Sequence, residues 1–308
     1  MTKVYIDGAV GTTGLRIRER LLSRDDVELL TIPEEYRKDI NYRKEYINRS
    51  DVTFLCLPDV ASIEAVTLAE DKVKIIDAST AHRVNPDWAY GFPELGEDFY
   101  NKIKNGNRIA NPGCHASGFI ALVYPLIKSG ILDKETYLTC TSLTGYSGGG
   151  KKMIADYENE NRDELLGAPR MYGLNQTHKH LPEMSYVIGL KKIPSFMPIV
   201  GDFYSGMEVI VPLELAQLKW IRNLKQLQEL YKDFYNGKKL VKAVDFSDSF
   251  ISAKALSGKD VMKVGVSGND ERVTLISLFD NLGKGASGAA IQNFNIISGV
   301  EETKGLEL

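Results

Sequence analysis

The stretch "KVYIDGAVGTTGLRIRERLL", residues 3–22, constrains this chain more than any other. A short apolar run is followed by three glycines at three-residue spacing and then by apolar side chains at helical spacing. A buried strand that turns into a helix over glycines is the arrangement a dinucleotide pyrophosphate requires. Glycine lets the turn close and the backbone approach phosphate, and the helix N-terminus supplies unpaired N–H groups with partial positive charge. Gly8, Gly11, Thr12, Thr13 and Gly14 are therefore candidate cofactor-binding residues. The spacing Gly-x-x-Gly-x-x-Gly differs from the commoner Gly-x-Gly-x-x-Gly, and a turn that serves only helix–strand packing would use the same glycines.

The alternation continues. "VELLTI", "VTFLCLP" and "VKIIDAS" read as strands and "VASIEAVTLAE" as a helix, which predicts parallel pairing in a doubly wound α/β sheet. "ANPGCHASGFIALVYPL" (110–126) then begins a further helix. Beyond it, residues 137–146, 206–215, 260–268 and 272–281 show period-two alternation in close succession, which predicts a mixed or antiparallel sheet, with a helix over 223–235. A length of 308 residues suits two domains. The expected division is 1–113, rejoined by a C-terminal helix within 284–308, and 114–283.

Where the second strand ends, at Thr31-Ile32, a chain that takes NAD carries an acidic residue for the ribose 2′-hydroxyl. Arg37-Lys38 follow here, and basic side chains favour a 2′-phosphate, hence NADP(H); Glu34 and Glu35 leave NAD open. With 38 basic against 41 acidic residues the chain has no basic stripe for a phosphate backbone, which excludes nucleic acid as a partner. The longest apolar run, Phe119 to Ile127, is too short to span a membrane, and Met1-Thr2-Lys3 leads directly into a strand. A cytoplasmic chain without leader or anchor is expected.

Three cysteines are too few and too scattered for a disulfide framework, and none forms a Cys-x-x-Cys pair. Cys56 and Cys140 lie in β-like runs and read as packing residues. Cys114 is different, because it stands at a helix N-terminus, where partial positive charge stabilises a thiolate. A buried packing cysteine could occupy the same position. Two of the four histidines lie in "QTHKHLPEM" as His178 and His180, with Glu183 close behind. In an extended segment, positions two apart point the same way, so both imidazoles would face one site, with Glu183 able to orient one of them and proton transfer possible near pH 7. Solvated loop histidines, or a zinc triad of His178, His180 and Glu183, fit the same pattern. His115 adjoins Cys114, and His82 precedes Arg83, whose planar fork matches a phosphoryl group.

Together, "DGAVGTTG", "FLCLPD", "IIDASTAHRV", "YGFPEL", "ANPGCHASG", "GYSGGGKK", "YGLNQTHKHLPEM" and "DNLGKGASGAAIQN" resemble, in order and nearly end to end, the short form of the N-acetyl-γ-glutamyl-phosphate reductases. That family is related to aspartate-semialdehyde dehydrogenase. The resemblance implies a Rossmann-type NADP-binding domain and an α+β, glyceraldehyde-3-phosphate dehydrogenase-like C-terminal domain that mediates assembly as a dimer or tetramer. It implies NADPH-dependent reduction of N-acetyl-γ-glutamyl phosphate to the semialdehyde in arginine biosynthesis, through a thioester on Cys114, with release of inorganic phosphate and no metal. His180 is favoured over His178 for proton transfer. Ser79, Arg83, Asn111, Ser147 and Lys151 match substrate-holding positions, and Asn281, Gly283 and Gly285 match the nicotinamide end of the cofactor site. Longer members carry Arg and Thr where this chain has Lys179 and Leu181, and Asp-Tyr-Arg where it has Ala81-His82-Arg83. Aspartate-semialdehyde dehydrogenase, an N-acetyl-aminoadipyl-phosphate reductase, a zinc hydrolase and a redox-sensing NADP-binding protein remain alternatives.

Overall fold

The computed structural model describes residues 1–246 and 249–308, which divide into two compact units. The first comprises Met1–Pro112 and Ala286–Leu306; the second comprises Gly113–Gly285 and Glu307–Leu308.

In the first unit the elements run β1 (Thr2–Asp7), α1 (Thr12–Leu22), β2 (Val27–Leu30), α2 (Ile40–Arg49), β3 (Val52–Leu55), α3 (Asp59–Leu68), β4 (Lys74–Asp77), β5 (Ala89–Tyr90), α4 (Glu97–Asn105) and β6 (Arg108–Ala110). The strands form one sheet in the order β2-β1-β3-β4-β6-β5, with every pairing parallel. Successive side chains along a strand point to opposite faces, so a sheet covered on both sides needs apolar residues at consecutive positions. Val4, Ile6, Phe54 and Ile76 accordingly enter one core, while Tyr5, Leu55 and Ile75 enter the other. Ile17 and Leu21 of α1 close the first core, and Ile47 and Ala65, from α2 and α3, close the second.

The second unit contains α5 (Cys114–Lys128), β7 (Thr139–Gly145), α6 (Gly150–Glu158), β8 (Arg170–Met171), α7 (Leu181–Ile188), β9 (Ser195–Gly201), β10 (Met207–Glu214), α8 (Leu224–Phe234), β11 (Val241–Ala243), β12 (Met262–Gly268) and β13 (Arg272–Phe279). Its sheet runs β11-β12-β13-β10-β7-β9-β8 and is mixed: β10 is antiparallel to β13 and β7, whereas β7 and β9 are parallel. One face carries α5, which is buried from His115 to Ile127 and packs against α7, α8, β10 and β13. Tyr235 ties α8 to α5 by donating its hydroxyl to the Ala121 carbonyl at 2.7 Å. The final helix, α9 (Gly288–Ser298), belongs to the first unit, where Ala290, Ile291 and Phe294 complete the core built on Val4 and Phe54.

β9 was not among the strands expected from the sequence. Pro198 interrupts its pattern, since proline cannot donate to a ladder. It is tolerated at a position where its carbonyl still accepts the Tyr172 N–H at 3.0 Å.

Candidate active site

The two units carry separate constellations of the residues singled out above. In the first unit, α1 begins at Gly11, whose backbone is extended and which no side chain caps. Gly8 has φ +89°, and a Cβ there would fall on the Cys56 carbonyl oxygen, so the turn itself demands this glycine. Gly11 is under no such constraint: a Cβ there would come no nearer than 3.5 Å to any other atom. A methyl would be tolerated there, in ordinary contact with the Gly8 carbonyl, and its absence leaves the backbone bare beside uncapped helix N–H groups, where a phosphate would approach. The loop therefore fits the pyrophosphate of a dinucleotide.

Next to the loop lies a cavity of about 490 Å³, bounded by Gly8, Ala9, Thr31, Glu34 and the cationic side chains of Arg18, Arg37 and Lys38. Arg37 is ion-paired with Glu34 at 2.8 Å. The carboxylate of Asp7, also on the wall, is held by Arg43 at 3.0 Å; burial nevertheless pushes its pKa upward against that cation. Arg18 was missed in the sequence, because an arginine in an amphipathic surface helix carries no signal of its own.

At the far ends of β4 and β6, the buried Asp77 carboxylate organises the segment 77–83. It accepts the backbone N–H and hydroxyl of Ser79 at 2.9 and 2.7 Å and the Ser62 hydroxyl at 2.9 Å, and it contacts His82 Nδ1 at 2.6 Å. His82 is stacked on Trp88 with ring centroids 4.0 Å apart. Arg83 Nε and Nη2 each donate over 2.9 Å, to the carbonyls of Asn111 and Ala78. Two donors of the fork expected to hold a phosphoryl group are thus used to join the two strand ends. Asn111 donates to the Ala286 carbonyl at 3.0 Å and accepts from Asn293 at 3.1 Å. Both Arg83 and Asn111 act in the structure as braces.

In the second unit, Cys114 is the first residue of α5, following an extended, uncapped Gly113. The Gly113 N–H donates to Glu183 Oε1 at 2.8 Å, in a buried bond across 70 residues. Glu183 Oε1 thus fixes the peptide entering the cysteine helix, a role the sequence did not announce. The histidine segment is also not extended. Lys179 and His180 form a turn into α7, and His180 is the N-cap. The two rings still converge, 4.9 Å apart and nearly perpendicular, because the His180 N–H donates to His178 Nδ1 at 3.2 Å.

His115 is the third imidazole of this cluster, 5.4 Å from His178 and 5.5 Å from His180 between ring centroids. Its nitrogens contact the Ser142 hydroxyl at 2.7 Å and the Tyr172 hydroxyl at 2.8 Å. Burial, with His178 and Lys179 adding to it, lowers the His115 pKa to about 3. Burial and Lys179 lower that of His178 to about 4. Both imidazoles are neutral at pH 7. Tyr172 is raised above the ordinary phenol range by burial first and by the charge of Cys114 second. The loop before the histidines is held by Gln176, at φ 57°, whose side-chain amide donates to the Phe196 carbonyl at 2.7 Å and accepts the Phe196 N–H at 2.8 Å. A side chain here replaces a missing strand.

The segment after β13 forms the remaining wall. A Cβ on Gly285 would stand 3.0 Å from the Cys114 Cβ, so glycine lets the chain pass close behind Cys114 without displacing it. Gly283 lies against the Lys259 carbonyl, a packing reason for its lack of a side chain. Asn281 donates to Ser147 Oγ at 3.0 Å and accepts the Gly206 N–H at 2.9 Å, which ties the 147 loop to this segment. Lys151, on α6, is exposed. Cys56 and Cys140 are held as neutral thiols by burial, which pushes Cys56 up to about 12. Among the described residues no three His, Cys, Asp or Glu side chains are placed to hold a metal ion, and no helix is long and apolar enough to cross a membrane.

Comparison with known proteins matches residues 3–103 to the semialdehyde dehydrogenase NAD binding domain and residues 114–281 to the semialdehyde dehydrogenase dimerisation domain. The N-acetyl-gamma-glutamyl-phosphate reductases of Brucella ovis and Brucella abortus (strain S19) are each 45% identical over 306 residues, covering 96% of this chain and 99% of theirs. Among solved structures, aspartate semialdehyde dehydrogenase II from Vibrio cholerae aligns with a TM-score of 0.73 at 17% identity, over 97% of this chain and 98% of that one. The Francisella tularensis aspartate semialdehyde dehydrogenase gives 0.71 at 15% identity, over 97% and 100%. At such identities these two show the fold alone.

Proposed function

The chain belongs to the N-acetyl-γ-glutamyl-phosphate reductase family, and from that premise we propose that it reduces N-acetyl-γ-glutamyl phosphate to the semialdehyde through a thioester on Cys114, with NADPH as reductant. The observation that carries the chemistry is the position of Cys114: first residue of a buried helix, backed by Gly285 and followed directly by His115, whose ring lies 5.4 and 5.5 Å from those of His178 and His180. A helix N-terminus favours the thiolate.

His178, a neutral imidazole, or His180 takes the thiol proton while sulfur attacks the acyl carbon. The phosphate leaves with the bonding electron pair and takes a proton from solvent. A bound nicotinamide supplies the hydride that reduces the resulting thioester. The imidazolium protonates the tetrahedral oxyanion, then removes that proton as the C–S bond breaks, releasing the aldehyde and restoring thiol and neutral imidazole. His180 is favoured for this transfer on the resemblance to the family, and it is the more buried of the two imidazoles. Glu183 holds the Gly113 peptide, so that sulfur enters from one direction. Of the substrate-holding positions that the resemblance implies, Ser79, Arg83, Asn111 and Ser147 are engaged in hydrogen bonds within their own units, and Lys151, exposed and unpaired among the described residues, is the charge best able to receive an anionic group of the substrate.

NADP rather than NAD is supported by the cations on the cavity beside the glycine loop. A homo-oligomer, dimer or tetramer, is supported by the match to a dimerisation domain. A cytoplasmic setting suits a catalytic thiol in a chain whose three cysteines form no disulfide. The deciding experiment runs the reaction backwards, following NADP+ reduction with phosphate and either N-acetylglutamate semialdehyde or aspartate semialdehyde. Reduction with the first and at most a trace with the second is expected; the opposite order would overturn the substrate assignment.

A further inference from the structure

The cavity of the first unit carries a charge pattern that the glycine loop alone does not explain. Two carboxylates and three cations line it, and both carboxylates are engaged: Asp7 with Arg43, and Glu34 with Arg37 at 2.8 Å. A ribose 2′-hydroxyl is taken by a carboxylate, and here each carboxylate has a cation beside it, Glu34 keeping only its Oε2 outside the pair. Arg37, the cation that the sequence points to first, is the one already neutralised. Arg18 and Lys38 face the cavity with no hydrogen bond or ion pair among the described residues.

The placement of Arg18 is specific. It follows Leu15 by three residues on α1, and both line the cavity, so they share a helix face. From the N-terminus of α1 to Arg18 the helix rises about 9 Å, at roughly 1.5 Å per residue. That span suits a ribose with a phosphate at each end. The pyrophosphate would meet the bare backbone at Gly11, where a Cβ would meet nothing closer than 3.5 Å, and a second phosphate would then meet the guanidinium. A guanidinium presents a planar fork to phosphate oxygens, and Lys38 adds a point charge from the other side of the pocket.

We propose that Arg18, assisted by Lys38, binds the adenosine 2′-phosphate of the cofactor and sets the preference for NADP(H), and that Arg37 does not. This rests on the reading that the chain uses NADP(H). Calorimetric titration with NADP+, NAD+ and 2′-AMP tests it without recourse to turnover. The wild type should bind NADP+ more tightly than NAD+ and should bind 2′-AMP. Arg18→Ala should weaken NADP+ and 2′-AMP by about tenfold or more, the range for a hydrogen bond to a charged group, and leave NAD+ within about twofold. Arg18→Lys should recover part of the loss, Lys38→Ala should lose less than Arg18→Ala, and Arg37→Ala least. Equal weakening of NADP+ and NAD+ in Arg18→Ala, or a larger loss in Arg37→Ala, would overturn the assignment. If the wild type prefers NADP+ and Arg18→Ala keeps that preference, only the residue is wrong. If the wild type shows no preference, the cofactor reading itself falls.

Discussion

Helices α1 and α5 start alike and end up serving opposite purposes. Each follows a glycine in extended conformation, each lacks a side-chain cap, and each presents unpaired N–H groups to whatever lies beyond. At α1 the glycine N–H closes a turn onto the Gly8 carbonyl, and the helix buries only Gly14, Ile17 and Leu21. At α5 the glycine N–H is locked by the Glu183 carboxylate, and the helix is buried from His115 to Ile127. The open end is suited to an anion that comes and goes. On the proposed mechanism, the closed end has its anion attached to the first residue. One electrostatic device yields a binding site or a nucleophile according to what surrounds it.

The sharpest way to break this comparison is Cys114→Ser, which should lower turnover by on the order of 10³-fold or more while cofactor binding by fluorescence titration stays within error. A variant keeping a substantial rate would show that α5 is a packing helix after all. Gly8→Ala strikes the other end: a left-handed φ and an overlap with the Cys56 carbonyl should cost roughly 2–4 kcal/mol in urea unfolding, whereas Gly11→Ala should fold normally and bind cofactor more weakly. Equal destabilisation by both would remove the reason for reading Gly11 as an open cradle. Glu183→Ala should cost about 1–3 kcal/mol for the stranded Gly113 N–H and lower kcat more than it raises KM, with Glu183→Gln intermediate.

The smallest effect separates the two ends by pH. His115 and His178 are held below the ordinary imidazole value of 6.5, so below that pH the unfolded chain binds more protons than the folded one. Stability is complete above about pH 7 and declines as pH falls from 6.5 toward 4. In His115→Gln the decline of the urea midpoint should be shallower. The arginines beside α1 do not titrate in this range. A 2′-phosphate does titrate, with a second pKa of about 6, so NADP+ affinity should fall below that pH and NAD+ affinity change less, as long as the chain stays folded.

Much of this was legible in the sequence where the physics is local. A glycine loop between strand and helix, a cysteine opening an apolar helix, and the change from short strands to period-two runs are all patterns within a few residues. Features made by distant parts were not. Nothing near Glu183 announces a bond to Gly113, and nothing in α1 distinguishes Arg18 from Arg16 or Arg20 until β2 and the turn after it supply the opposite wall. Pro198 concealed β9, and with it the partner that Gln176 uses to hold the histidine loop. The paired histidines were correctly marked as converging, but for a geometric reason that does not hold, since a turn and not a strand brings them together.

Gly285 has a consequence for the making of the protein. During synthesis the thiol leaves the ribosome long before the glycine that will stand behind it, so a young chain with α5 already formed has its most reactive sulfur open on that flank. Only when the last part of the second unit arrives does the thiol gain its back wall. Oxidants and alkylating agents should therefore find nascent or partly unfolded molecules easier targets than finished ones.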